Sequence, residues 1–192
     1  IENFFNTQIF EYQALKNHLM LDSLVTLDPY IKRCRNSDSK EILESCKRGH
    51  YFNEQNEAVD MSDQVRNCIE NTKSFRPDYD YELPPLKKKE KGTIEIRNET
   101  TIRGALRMCV EEEKSKVCAL NFASSCHPGG GFLNFSTAQE ESLCRSSALY
   151  YSLIQKDDLY EYNRQLDTNL ASDYLIFTPD CPVWKLGEKT LD

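Results

Sequence analysis

The stretch "HPGGGFLNFSTAQEESLCRSSALY", His127 to Tyr150, constrains the chain most, because it sets three consecutive glycines seven residues before a Gln-Glu-Glu triplet in a protein with only seven glycines. Upstream, "KVCALNFA" is apolar on both sides at Val117, Ala119, Leu120 and Phe122, the pattern of a central strand covered on both faces. Downstream, Leu143, Ser147, Tyr150, Tyr151 and Ile154 predict a helix over Glu140 to Gln155 with one inward stripe. A strand, a glycine-rich loop and a helix N-terminus together suit an anion, since glycine lets the backbone approach closely and the helix end favours negative charge. The loop lacks the Lys-Ser or Lys-Thr of a Walker loop and the spacing of a dinucleotide fingerprint, so the triglycine alone is a weak signal. Glu140 and Glu141 admit two readings: partners of the helix dipole, or acids sharing a pocket with a bound diphosphate and a glycosidic bond.

At 192 residues the chain suits a single domain with its own core. It opens on Ile1, which reads as a fragment or processed piece, with no start resembling a signal peptide and no apolar run near the roughly 20 residues that cross a bilayer. A soluble protein with no membrane association is expected. The net charge of -7 disfavours a broad basic surface, so direct DNA binding is not expected and an anionic ligand needs a local site. Eight widely spread cysteines without C-x-x-C spacing read as reduced thiols in a cytoplasmic or otherwise intracellular protein. Cys126 and His127 are adjacent, but neither His18 nor His50 completes a zinc-ligand pattern, so no metal site is expected.

Along the chain, Phe10, Leu15, Leu19, Leu24 and Leu27 suggest a helical N-terminal extension over residues 1–40, its helix ending before Pro29. Ser39 is read as the cap of a helix through Cys46, Tyr51 to Met61 as a small hairpin, and Ser62 as the cap of a helix carrying Val65 and Ile69. "RPDYDYELPPLKKKEKG" reads as an exposed connection. Beyond it "TIEIRN" is read as a strand, Thr100 or Thr101 as the cap of a helix through Glu113, and "YLIFT" as a buried strand. The alternation is that of an α/β domain.

The triglycine, the seven-residue spacer and Gln-Glu-Glu resemble the signature of poly(ADP-ribose) glycohydrolases of the bacterial or microbial type. "EILESCKRGHYF", "AVDMS", "SFRPD", "IEIRNETTIRGAL", "CALNFAS", "AQEESLCRSSALYYSL" and "IFTPDCPVW" follow the family's order over most of residues 41 to 186. The resemblance implies a macrodomain-like three-layer α/β/α fold with a mixed sheet, in residues 41–192, after the helical extension. It further implies a domain lacking its C-terminal part, since related catalytic domains continue well past the position of Trp184. The implied activity is hydrolysis of ribose–ribose O-glycosidic bonds in poly(ADP-ribose), releasing ADP-ribose, without cofactor. Removal of mono(ADP-ribose) from proteins and ADP-ribose binding without turnover are the alternatives. By the same resemblance Gly129, Gly130 and Gly131 contact the diphosphate and adjoining ribose, Glu141 is the catalytic acid and base, Glu140 holds ribose hydroxyls, and Gln139 shapes the loop. Phe132, Asn121 and Ser124 complete the implied substrate-binding set; at Ser124 the family usually carries Asn.

Overall fold

The computed structural model describes residues 24–80, 92–114 and 116–186 and the backbone of 189–190; the part of the expected N-terminal helix before Leu24 lies outside the described residues, and residues 24–27 are not helical. The first described helix, α1 (Asp28–Arg33), begins at the proline that was expected to stop one. Pro29 sits in its first turn, where a missing N–H has no intrahelical acceptor to lose. In α2 (Ser37–Arg48) the cap is Asn36 rather than Ser39: Asn36 Oδ1 accepts the N–H groups of Asp38 and Ser39 at 2.9 and 3.3 Å. Ser39 is buried one turn inside, beside Ile42 and Leu43. Gly49 ends the helix at φ 74°, its N–H donating to Ser45 O at 2.9 Å.

The expected hairpin forms as β1 (His50–Phe52) paired antiparallel with β2 (Ala58–Asp60), its turn folded over Asn53 Oδ1, which accepts the N–H groups of Gln55 and Glu57. Helix α3 (Ser62–Asn71) follows with Met61, not Ser62, at its cap position and no side-chain cap bond; Ser62 is its first residue, and its N–H donates to Asp60 Oδ1 at 2.8 Å. Strand β3 (Lys73–Phe75) pairs antiparallel with β4 (Leu175–Phe177), with Ser74 opposite Ile176. This corrects the burial expected of "YLIFT": as part of a two-strand ribbon, β4 leaves Leu175 and Phe177 about half exposed.

Thr93 to Asn98 and Val117 to Ala123 run without strand pairing among the described residues, so the two strands read there are corrected. Strand propensity is realised only against a partner, and Ile94 and Ile96, each 93% exposed, have none to pack on. Thr100 caps α4 (Thr101–Leu106), accepting the Arg103 N–H at 3.3 Å, and the helix widens into a π-turn over Arg107–Glu111 that leaves Cys109 and Val110 exposed.

The long helix expected over Glu140 to Gln155 is interrupted. Helix α5 (Gln139–Ser146) stops at Ser147, whose extended backbone forms a bridge with Val183, and α6 (Leu149–Leu153) resumes beyond it. Trp184 N–H donates to Ser146 O at 3.1 Å, so the segment Pro182 to Trp184 caps α5 from far along the chain. Helix α7 (Asp157–Arg164), not foreseen, buries Leu159, Tyr160 and Asn163 behind a doubly acidic first turn. Strands β5 (Lys185–Leu186) and β6 (Lys189–Thr190) close the described chain as a short antiparallel pair.

The result is a mixed α/β structure of helices and two-stranded sheets around one core, in which Ile42, Leu43, Val65, Phe132, Tyr151 and Trp184 meet. All eight thiols are unpaired. Among the described residues no helix is long and apolar enough to cross a membrane, and no group of His, Cys, Asp and Glu is arranged to hold a metal.

Candidate active site

Helix α5 begins without a side-chain cap, and its first turn carries Gln139, Glu140 and Glu141 into the interior of the protein. Both acids are nearly inaccessible, 3% exposed for Glu140 and 6% for Glu141. An ionised carboxylate at such depth needs donors. Glu140 has them: Oε1 accepts Asn121 Nδ2 at 3.2 Å and Oε2 accepts the Ser124 N–H at 2.8 Å. Burial still lifts its pKa above the ordinary carboxylate value, and the neighbouring Glu141 adds to the rise, against the opposing pull of Ser124, Asn121 and the Gly129 backbone.

Glu141 is held differently. Its Oε1 accepts the Gly131 N–H at 2.8 Å, while Oε2 is buried with no hydrogen-bond partner among the described residues. A buried carboxylate oxygen left open in this way calls for a functional explanation.

The glycines fit against these acids. Gly129 and Gly130 have φ of 66° and 55°, a left-handed conformation that a side chain disfavours. A Cβ on Gly130 would stand 2.6 Å from Glu141 Oε1 and 3.2 Å from Glu140 Oε2, and one on Gly129 would stand 2.5 Å from the Tyr150 ring. The loop is wound by its own bonds, Gly130 N–H to His127 O and Phe132 N–H to Gly129 O, each 3.0 Å. The amides of Gly130, Gly131 and Phe132 are therefore all engaged within the protein in this state.

Every residue named from the sequence falls in this one cluster, with tasks that differ in part from those expected. Phe132 is fully buried beneath the loop, its ring 4.4 Å from Tyr150 between centroids, so it supports the loop from below and offers no surface to a ligand. Gln139 is occupied by the protein: Oε1 accepts the Phe122 N–H at 2.9 Å, and Nε2 donates to Leu120 O at 2.8 Å and to Thr101 Oγ1 at 3.2 Å. It thereby does for the unpaired segment Leu120–Phe122 what a neighbouring strand does in a sheet. Ser124 Oγ accepts the N–H groups of Cys126 and His127 at 3.4 and 3.2 Å, shaping the entry to the loop, while its own N–H serves Glu140.

The sequence reading missed the walls behind the acids. Cys144 and Tyr160 lie in the field of Glu140, which adds to the upward push that burial gives their pKa values. Tyr160 was detectable only through the 157–164 periodicity. An open cleft of about 410 Å³ is lined by Gln139 together with Arg97, Thr101, Arg107 and Leu120, but by neither acid and none of the three loop glycines.

A helix start that sets two buried acids under a tight glycine loop is an arrangement suited to acid–base chemistry. Known proteins place the chain further. Residues 39–186 match the family model of the microbial-type PARG catalytic domain, and the chain belongs to that family. Its fold is similar to that of the solved poly(ADP-ribose) glycohydrolase from Thermomonospora curvata, with a TM-score of 0.73 and 32% identity over 81% of this chain and 58% of that one. The same enzyme bound to the inhibitor ADP-HPD matches with a TM-score of 0.70 and 34% identity, over 81% of this chain and 57% of that one. The Deinococcus radiodurans glycohydrolase in complex with ADP-ribose matches with a TM-score of 0.55 and 32% identity over 66% of this chain and 52% of that one. The chain thus spans between half and three fifths of the length of these structural relatives. No curated protein sequence matches it.

Proposed function

We propose that this chain carries the acid–base centre of a poly(ADP-ribose) glycohydrolase, which hydrolyses ribose–ribose O-glycosidic bonds and releases ADP-ribose. The observation that carries the reading is Glu141 at the start of α5, with one oxygen fixed by the Gly131 N–H and the other buried with no hydrogen-bond partner among the described residues. Membership of the family, together with relatives solved with ADP-ribose and with ADP-HPD, supports it.

In this mechanism Glu141 begins protonated and passes its proton to the departing ribose oxygen as the bond to the anomeric carbon breaks. The resulting carboxylate removes a proton from the water that attacks the oxocarbenium-like carbon, which restores the acid and adds one water across the bond. Glu140, held by Asn121 and the Ser124 amide, retains lone pairs for ribose hydroxyls. Gly129, Gly130 and Gly131 receive the diphosphate and adjoining ribose, and the lack of Cβ atoms lets the same loop close on Glu140 and Glu141. Gln139 and Phe132 act from behind, on Leu120–Phe122 and on the loop, rather than on substrate. The same reading includes a macrodomain-type layered arrangement in residues 41–192, which the fold similarity to the T. curvata enzyme favours.

Glu141→Gln is expected to keep ADP-ribose affinity within about threefold, since shape is retained, while polymer cleavage falls by about a hundredfold or more. Calorimetric titration paired with a polymer digestion assay reads both. Cleavage at the normal rate removes Glu141 from this role, and release of mono(ADP-ribose) from protein in place of polymer cleavage assigns the site to the other substrate.

A further inference from the structure

The glycine loop has two feet, Cys126 and Ser136, and a guanidinium donates to the carbonyl oxygen of each. Arg164 Nη1, from the last residue of α7, reaches Cys126 O at 2.8 Å, and Arg145 Nη1, from α5, reaches Ser136 O at 2.8 Å. Between them the Arg35 N–H donates to Leu133 O, also at 2.8 Å. Loops of this kind normally owe their shape to local turn bonds and are the most mobile part of a site. Here α7 and the link between α1 and α2 reach the loop from afar in sequence, and α5, which follows the loop directly, holds its second foot.

We propose that Arg164 and Arg145 are positioning residues that set the glycine loop, Arg164 acting from outside the Gly-Gly-Gly and Gln-Glu-Glu signature. The geometry gives each a separate effect. Cys126 adjoins His127, whose carbonyl accepts the Gly130 N–H at 3.0 Å. Fixing Cys126 O therefore fixes the turn that keeps Gly129 and Gly130 at positive φ. At the other foot, the Ser136 side chain stands where a Cβ on Gly131 would go. Holding Ser136 O keeps that side chain against Gly131, whose N–H in turn holds Glu141. Arg164 also pairs with Asp157 at 3.3 Å, but both side chains are well exposed, so this ion pair adds little to the helix. The hydrogen bond to Cys126 is the contact with a consequence for the site.

The ligand half of this inference rests on the glycine loop being the ADP-ribose site; the loop half does not. Arg164→Met keeps the aliphatic stem and removes the donors. In the ligand-free chain, hydrogen exchange of the peptide spanning residues 126–136 is expected to quicken by about tenfold, from loss of one charge-assisted bond, with the melting temperature almost unchanged. ADP-ribose binding weakens and KM for the polymer rises by a similar factor of about ten, while kcat stays within about twofold because Glu141 is held from the other foot. Arg164→Lys, which can still donate one bond to Cys126 O, restores part of the loss, and Asp157→Asn leaves loop exchange unchanged. Arg145→Met is expected to quicken exchange towards Ser136 and, because that foot holds Glu141 through Gly131, to lower kcat as well. Wild-type exchange rates across the loop in both Met variants overturn the proposal. Loop exchange that quickens in a chain whose wild type binds no ADP-ribose upholds the brace and rejects the ligand.

Discussion

Glu140 and Glu141 stand side by side on one turn yet meet different surroundings. Among the described residues Glu140 has a donor on each oxygen, whereas Glu141 has a donor on one oxygen alone. The pKa of Glu140 is raised in the folded protein, chiefly by burial, so its protonated form is the one the fold prefers. The sign for stability follows: the contribution is full below the ordinary carboxylate value of the unfolded chain and is lost as pH rises through the higher folded value. Glu140→Gln is therefore expected to stabilise the protein at neutral pH and to flatten the dependence of melting temperature on pH above the ordinary carboxylate range. The Asn121 amide can turn to meet the new side chain, because its own Oδ1 is buried without a partner among the described residues. Thermal melts of both proteins across that range check this, and a Glu140→Gln protein less stable at pH 7 contradicts it. Gain in stability with loss of turnover is the usual mark of a residue retained for chemistry.

At the scale of elements, the pieces that were legible in the sequence are those whose cause lies within a few residues. Gly49 stops α2, the hairpin turns over Asn53, and the glycines and acids share one loop and helix start. Apart from the helix starts at Asn36 and Pro29 and the unforeseen α7, the pieces that were not legible have distant causes. Ser147 interrupts the expected helix because Val183 bridges to it and Trp184 takes the Ser146 carbonyl, and no local signal announces a partner that far along the chain. Thr93 to Asn98 has the composition of a strand, but pairing decides strands, and composition is silent on pairing. The segment Leu120 to Ser124 is the instructive case. Gln139 supplies both a donor and an acceptor to its backbone, and that hold brings Asn121 and the Ser124 N–H to Glu140. Gln139→Leu removes these bonds at nearly equal volume. A loss of about 1–3 kcal/mol is expected from backbone groups left without partners, with faster amide exchange at Phe122 and Ser124. Denaturant unfolding and residue-resolved exchange measure the two, and unchanged protection at Ser124 argues against Gln139 as its support.

For the whole molecule, the core is continuous from Leu27 near the start of the described chain to Trp184 near its end. Trp184, the single tryptophan, is buried and stacks on Tyr51 at 6.2 Å between centroids. Lys185 pairs with Glu41 at 3.0 Å beside it. A fluorophore seated where the hairpin, α2 and the cap of α5 meet reports the entire assembly. Its emission shift in urea is expected to coincide with the loss of far-ultraviolet ellipticity in a single transition; separated midpoints would show that the site region and the helices behind it unfold independently. The bond from Trp184 to Ser146 also bears on how the protein is made. A nascent chain that has displayed the glycines and both acids still lacks the residue that closes the end of their helix, so the signature emerges from the ribosome before the site can set. The segment that closes that end arrives about forty residues later, and until then the two acids ride on a helix with a free end.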